Sequence, residues 1–180
     1  SVMTSHSWST LFMHLVAGCV AFALGVTTYE EVADQLGERD HTLLRSKLDK
    51  LRDELDKRDA YGMLFWLDCF CVDQHVSICD LETEKTDTVT REKFRPCPCN
   101  TPKHLNDSEK CETNKVKDMM TMLKENAPTY TQHLSHVIVM DLEMHATLDR
   151  LWVMAEIHHG QKLGLAQYAV KYSDREDQQE

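Results

Sequence analysis

Four stretches of this 180-residue chain hold side chains able to do chemistry. Ser5-His6-Ser7-Trp8 sets hydroxyl, imidazole and indole groups together, and Asp68 to His75 brings carboxylates, two thiols and an imidazole. Leu148 to Ile157 carries Arg150, Trp152 and Glu156, and a separate loop offers Cys97, Cys99, His104 and Cys111. Each also has an ordinary reading. A glutamate in mid-helix among Trp, Met, Ala and Ile is usually a solvated or edge residue, because perturbed carboxylates are the minority. Asp68 at a strand end caps the following loop through backbone N–H groups, or else orients a substrate or His75. Arg150 pairs with a nearby acid at little energetic gain. His6 and His14 are satisfied by backbone carbonyls, although His6 falls where a ligand would sit. His158-His159 complement the negative end of a helix.

The cysteine loop reads C-x-C-x4-H, followed by Cys111. Four soft ligands in one short loop could hold zinc, but the spacing departs from the paired C-x2-C of structural sites. A metal-free loop therefore stands ahead of zinc, and a disulfide is the alternative in an oxidising setting. No Walker loop, G-x-G-x-x-G, G-x-S-x-G or H-E-x-x-H occurs, so phosphate-loop, dinucleotide-fingerprint, hydrolase-elbow and zincin chemistries lack motif support. With 6 glycines in all, a glycine-rich phosphate cradle is not expected.

Patterning predicts the elements that position these groups. Ser1 to Ser5 reads as a buried strand ending in a polar loop. Ser9 or Thr10 then caps a helix that runs to about Leu24, ends at Gly25 and is apolar nearly all round. Residues 29 to 59 read as a charged surface helix whose seam is Leu44, Leu48, Leu51 and Leu55, with Asp53/Lys57 and Glu54/Arg58 at i,i+4 on the other side. Gly62 to Val72 is a continuous apolar run expected to be a strand buried on both faces. Residues 76 to 114 hold three of the four prolines and no periodicity, so they read as a long loop or insertion. A helix resumes at Val116 and stops before Pro128, with a brief restart from Tyr130 to Leu134. His136 to Met140 is the third strand, Asp141 to Ala146 a loop, Thr147 to His159 a helix ended by Gly160, and Leu165 to Tyr172 a fourth strand. The polar tail from Ser173 is expected to fray. Alternation of this kind specifies an α/β three-layer fold with a mostly parallel sheet. Ligands of such sheets bind beyond the carboxyl ends of the strands, where strand order reverses, and the three distinctive motifs all fall at strand ends.

Length over a typical ~150 residues gives about one domain. The hydrophobic fraction is 42% and the mean hydropathy −0.46, enough for a real core and against a wholly disordered chain. Lys+Arg number 20 and Asp+Glu 30, for a net charge of −10 and a pI near 5.4. That balance argues against nonspecific nucleic-acid binding and against docking on anionic lipid. The apolar run Leu11 to Val26 is broken by His14, is shorter than the ~20 residues of a membrane span, and follows no basic segment, so a buried helix is expected. Seven cysteines, with Cys19, Cys69, Cys71 and Cys79 in or beside apolar stretches, read as reduced thiols of a cytoplasmic protein.

Three motifs in order carry a resemblance. Ser5-His6-Ser7-Trp8 resembles S-H-x-W, Trp66 to His75 resembles W-x-D-x-x-x-x-x-Q-H, and Leu148 to Ile157 resembles L-x-R-x-W-C-x-x-E-I, with Val153 in place of the cysteine. Together they are similar to an algal and protist branch of the Toll/interleukin-1 receptor (TIR) superfamily, related to fungal heterokaryon-incompatibility domains, over roughly residues 1 to 172. The resemblance implies one TIR-like domain with a flavodoxin-like sheet, and a fifth strand for which no segment remains before residue 180. It also implies a signalling or defence role, self-association and, in enzymatic members, cleavage of the nicotinamide–ribose bond of NAD. The essential helix glutamate of those members matches Glu156. Ser5, His6, Trp8, Asp68 and Trp152 would line the cleft, with Trp8 and Trp152 holding nicotinamide and Trp66 in the core. Nicotinamide leaves a cationic ring as a neutral molecule, so no general acid is needed. One carboxylate near the ribose then stabilises an oxocarbenium-like transition state or orients the hydroxyls. The Ser-rich loop common before this helix in enzymatic members is absent from Asp141 to Ala146. The expectation is NAD as substrate with no resident cofactor; the alternative is a non-catalytic self-assembly module.

Overall fold

The apolar runs form short parallel strands alternating with helices, as an α/β chain requires. This computed structural model describes residues 1–8, 10–77, 79, 86–87, 90–104, 108–126, 134–142 and 144–174. The strands are β1 (Val2–His6), β2 (Phe65–Leu67), β3 (Ser135–Val139) and β4 (Ala166–Val170). All pairings are parallel, in the order β2-β1-β3-β4. The register sets Val2 beside Phe65 on one side and Ser135 on the other, with Ser135 beside Ala166. From β1 the chain goes to one edge, then crosses back past β1 to β3. Strand order therefore reverses between β1 and β3, the position at which sheets of this kind bind ligands.

The chain forms two compact units, Ser1–Leu67 with Met120–Glu180, and Asp68–Met119. In the first, α1 (Phe12–Ala23) packs on the face of the sheet that carries Val139. Residues 13 to 24 are all at least half-buried, as a run apolar all round demands. Gly18 permits this approach, because a Cβ there would lie 2.5 Å from Val139 Cγ1. The helix is capped by Leu11 without a side-chain bond, not by Thr10; Ser9 lies outside the described residues. It ends as expected at Gly25, in the left-handed region at φ 67°.

The single helix expected over 29 to 59 is two, α2 (Glu30–Leu36) and α3 (His41–Lys57). The break falls where Asp40 takes the N-cap position and accepts from Thr42 N at 2.9 Å and Leu43 N at 2.8 Å. Of the apolar seam, Leu51 is buried, Leu44 and Leu55 half-buried and Leu48 exposed. Neither Asp53/Lys57 nor Glu54/Arg58 is among the ion pairs of the described residues; Lys47 instead meets Glu38 at 2.8 Å. Only Phe65–Leu67 of the run 62–72 is a strand, and it is half-buried. It lies at the sheet edge with one neighbour, so the expectation of burial on both faces was wrong there.

The other face of the sheet is covered by α8 (Leu151–Lys162), preceded by the short α7 (Met144–Leu148). Ile138 and Met140 pack there against Val153 and Ile157. The expected helix 147–159 is thus split before Arg150, which caps α8, and Gly160 does not end it. The terminating left-handed glycine is Gly164, at φ 66°. The expected restart over 130 to 134, except Leu134, and the tail from 175 lie outside the described residues.

The second unit holds α4 (Asp68–Cys71), α5 (Gln74–Ser77), a 3-10 turn (Glu112–Asn114) and the start of α6 (Lys115–Glu125). Among its described residues only Cys111 and Val116 are buried. No helix among the described residues is long and apolar enough to cross a membrane.

Candidate functional site

Strand alternation puts Met3 and Ser5 of β1 on the α8 face and Val2, Thr4 and His6 on the α1 face. The same rule puts His136 and Ile138 of β3 toward α8. A hydroxyl and an imidazole are therefore brought together beneath one helix. Ser5 Oγ lies 2.8 Å from His136 Nε2, and Ser5 donates to Glu156 Oε2 of α8. On the other side of the imidazole, Gln167 Nε2 of β4 lies 2.9 Å from His136 Nδ1 and 2.9 Å from the Ile157 carbonyl oxygen.

The hydrogen bonds fix their own direction. A carbonyl oxygen only accepts, so the Gln167 atom facing Ile157 must be its amide nitrogen. That nitrogen donates to His136 Nδ1, which leaves the proton on Nε2. His136 Nε2 donates to Ser5 Oγ, and Ser5 passes its own proton toward Glu156. Burial supports this state: His136 is fully buried, and desolvation pushes its pKa down to about 4, so the imidazole is neutral. Gln167, His136, Ser5 and Glu156 thus form a one-way relay of donors ending on a carboxylate.

Gly160 is the helix position that makes room for the relay. A Cβ there would meet Gln167 Nε2 at 2.7 Å and His136 Nδ1 at 2.8 Å. This is why a glycine read as a helix terminator sits inside α8. Ser5 belongs to the carboxyl-terminal half of β1, so Glu156 is held at the reversal between β1 and β3. Glu156 is half-buried, neither sealed under packed side chains nor turned wholly to solvent.

The other residues expected in the cleft are His6, Trp8, Asp68 and Trp152. His6 is buried but faces the α1 layer. Trp8 is 36% exposed, and the Arg150 guanidinium lies 5.1 Å from its ring centroid. The acid partner expected for Arg150 is replaced by this cation–π contact, worth about 0.5–1 kcal/mol at an exposed site. Trp152 is half-buried on α8, and Trp66 is half-buried on the edge strand β2 rather than enclosed in the core. Asp68 opens α4 in the second unit. Two members of the relay, His136 and Gln167, were absent from the sequence reading. A histidine inside the buried run His136 to Met140 was the available signal, since a fully buried imidazole needs partners.

The second unit gathers a different set. His75, Cys79, Cys97 and Cys99 present ligand atoms that all lie within 4.8 Å of one another. Cys79 Sγ is 3.4 Å from Cys99 Sγ, and Cys97 Sγ is 3.5 Å from His75 Nδ1. Of the expected quartet, Cys97 and Cys99 take part. His104 instead faces Ser108 Oγ at 3.4 Å, and Cys111 is buried, the one residue of the four removed from solvent. Cys79, read as a small hydrophobe, is a member of this group, and Cys71, read likewise, is exposed. The Cys99 thiol is held down to about 5, first by hydrogen bonding from Thr101 and then by Cys79 and His75, while partial burial pushes Cys79 up.

No protein-family model, curated protein or solved structure matches this chain.

Proposed function

We propose that this chain is a TIR-like domain that binds NAD at the carboxyl rim of its sheet and cleaves the nicotinamide–ribose bond, with Glu156 as the catalytic carboxylate. The observation that carries the reading is the fixed Glu156 carboxylate at the reversal between β1 and β3, held by the Ser5 hydroxyl. The order β2-β1-β3-β4 is that of the first four strands of a flavodoxin-like sheet, whose ligands bind at this reversal.

In the reaction the C–N bond to nicotinamide breaks, the bonding pair leaves with the ring, and positive charge develops on the ribose. A carboxylate already oriented at the ribose lowers that barrier without reorganising at the moment of reaction. Ser5 fixes one carboxylate oxygen, and neutral His136 fixes Ser5, so the negative charge is aimed by groups that carry no charge of their own. Water then supplies hydroxyl to the ribose and gives up a proton to complete hydrolysis. Arg150 contributes positive charge beside Trp8, where an otherwise acidic chain must receive a pyrophosphate.

The test is nicotinamide release from NAD by the full chain and by its Glu156→Gln variant, which keeps the shape and removes the charge. The expected loss in turnover is about 100-fold or more, the scale of removing one preorganised electrostatic group. Equal rates in the two proteins would remove the proposed role.

One observation favours the second reading, a self-assembly module. Leu151 is 81% exposed and Met154 45% exposed, one helical turn apart on α8. Light scattering of Leu151→Glu beside the parent chain separates the two: an assembly module loses its oligomer, and a domain that works as a monomer keeps its size.

A further inference from the structure

We propose that His75, Cys79, Cys97 and Cys99 form a tetrahedral zinc(II) site that staples the Asp68–Met119 unit. This inference is independent of the NAD reading, because it rests on other residues in the other unit.

The spacing fits the ion. Bonds of about 2.3 Å to sulfur and about 2.0 Å to nitrogen at tetrahedral angles set two sulfurs about 3.8 Å apart and a sulfur and nitrogen about 3.5 Å apart. The observed Cys79–Cys99 separation is 3.4 Å and the Cys97–His75 separation 3.5 Å. The donor set selects the metal. Three thiolates and an imidazole suit zinc, whereas magnesium and calcium want oxygen. Four protein ligands leave no open position, which makes the site structural rather than catalytic.

The surroundings are built for the same purpose. His75 and Cys79 belong to one turn, closed by Cys79 N donating to the Gln74 carbonyl at 3.0 Å. Cys97 N donates to the Cys79 carbonyl at 3.1 Å, which binds the second ligand segment to the first. Pro96 and Pro98 flank Cys97 and restrict the unfolded chain. Three thiolates on a divalent ion leave a net charge of −1, and two donors face it. Thr101 N lies 3.5 Å from Cys99 Sγ, and Lys103 Nζ lies 3.8 Å from the same sulfur while bonding the His75 carbonyl at 2.7 Å. Finally, the unit needs a staple. With only Cys111 and Val116 buried among its described residues, it lacks the core that orders a segment of about fifty residues without a cross-link. Zinc binds the three cysteines as thiolates, any proton they carry passes to the solvent, and no electrons move.

The experiment uses the full chain, reduced, stripped with a chelator and titrated with cobalt(II). The expected result is one cobalt per chain, intense d–d bands of a tetrahedral ion and a thiolate-to-cobalt charge-transfer band, all abolished by one equivalent of zinc. Cys97→Ser and Cys99→Ser should each lower the charge-transfer intensity by about a third and weaken zinc binding by about 100-fold or more. Cys71→Ser and His104→Gln should bind as the parent does. The parent spectrum needs no variant to fold, so it decides alone if the ligand variants aggregate. A chain with all seven thiols reduced that gives no thiolate band overturns the proposal. So does a Cys79–Cys99 disulfide in protein purified under reducing conditions, or a Cys97→Ser variant that binds like the parent.

Discussion

His136 shows how one buried side chain sets both the stability and the chemistry of the first unit. Its pKa falls from the ordinary 6.5 to about 4 because the charged form would be desolvated. Between those values the unfolded chain binds a proton that the native chain does not, so stability rises with pH across that window. Acidification from pH 6.5 to 4 should therefore cost roughly 3 kcal/mol from this residue alone. Urea denaturation at pH 7, 6, 5 and 4 measures it. His136→Gln, which can still donate to Ser5, should flatten that limb; an unchanged slope would show that another group titrates. Ser5→Ala should leave the fold intact and lower nicotinamide release by about 10-fold, less than Glu156→Gln, because it only positions the carboxylate. Ser5 and Glu156 could be read from the sequence as motif residues at a strand end and on a helix. Their partners could not, because His136 and Gln167 reach them across strands that only tertiary pairing brings together.

At the scale of elements, two helix glycines decide how closely the layers approach. Gly18→Ala on α1 would drive a Cβ into Val139, a β-branched side chain with little freedom to turn, and should destabilise by about 1–3 kcal/mol. Val139→Ala alone opens a cavity, yet the double variant should be less damaged than the sum of the two, by about 1 kcal/mol, in thermal denaturation. Additive losses would mean the contact is not the constraint. Gly160→Ala strikes the relay instead, and should lower nicotinamide release along with stability, since Gln167 must move away from His136. The sequence showed where most elements lie, because apolar periodicity is a property of the chain itself. It misplaced breaks and ends. Gly160 has the composition of a helix stop but is needed for close packing, and Gly62 to Val72 has the composition of a buried strand but only Phe65–Leu67 of it is one, at a sheet edge.

At the scale of the whole molecule, the two units hold together by different means. The unit containing the sheet has a core of strands buried between α1 and α8, whereas Asp68–Met119 buries little and gathers four soft ligands. Chelation should therefore raise amide exchange across residues 75–79 and 97–104 by about 10-fold or more, while β1 and β3 amides keep their protection. Cysteine and histidine counts hinted at a metal, but ligand choice depends on how the loop folds, so His104 and Cys111 were read in place of His75 and Cys79. The role proposed for Glu156 is tested by NAD binding and NAD cleavage followed on the same samples of the parent chain and of Glu156→Gln. Binding should be unchanged within about threefold and cleavage lost in the variant, the signature of a group that acts in the transition state. A variant that releases nicotinamide as fast as the parent, or a parent chain that binds no NAD, would contradict it.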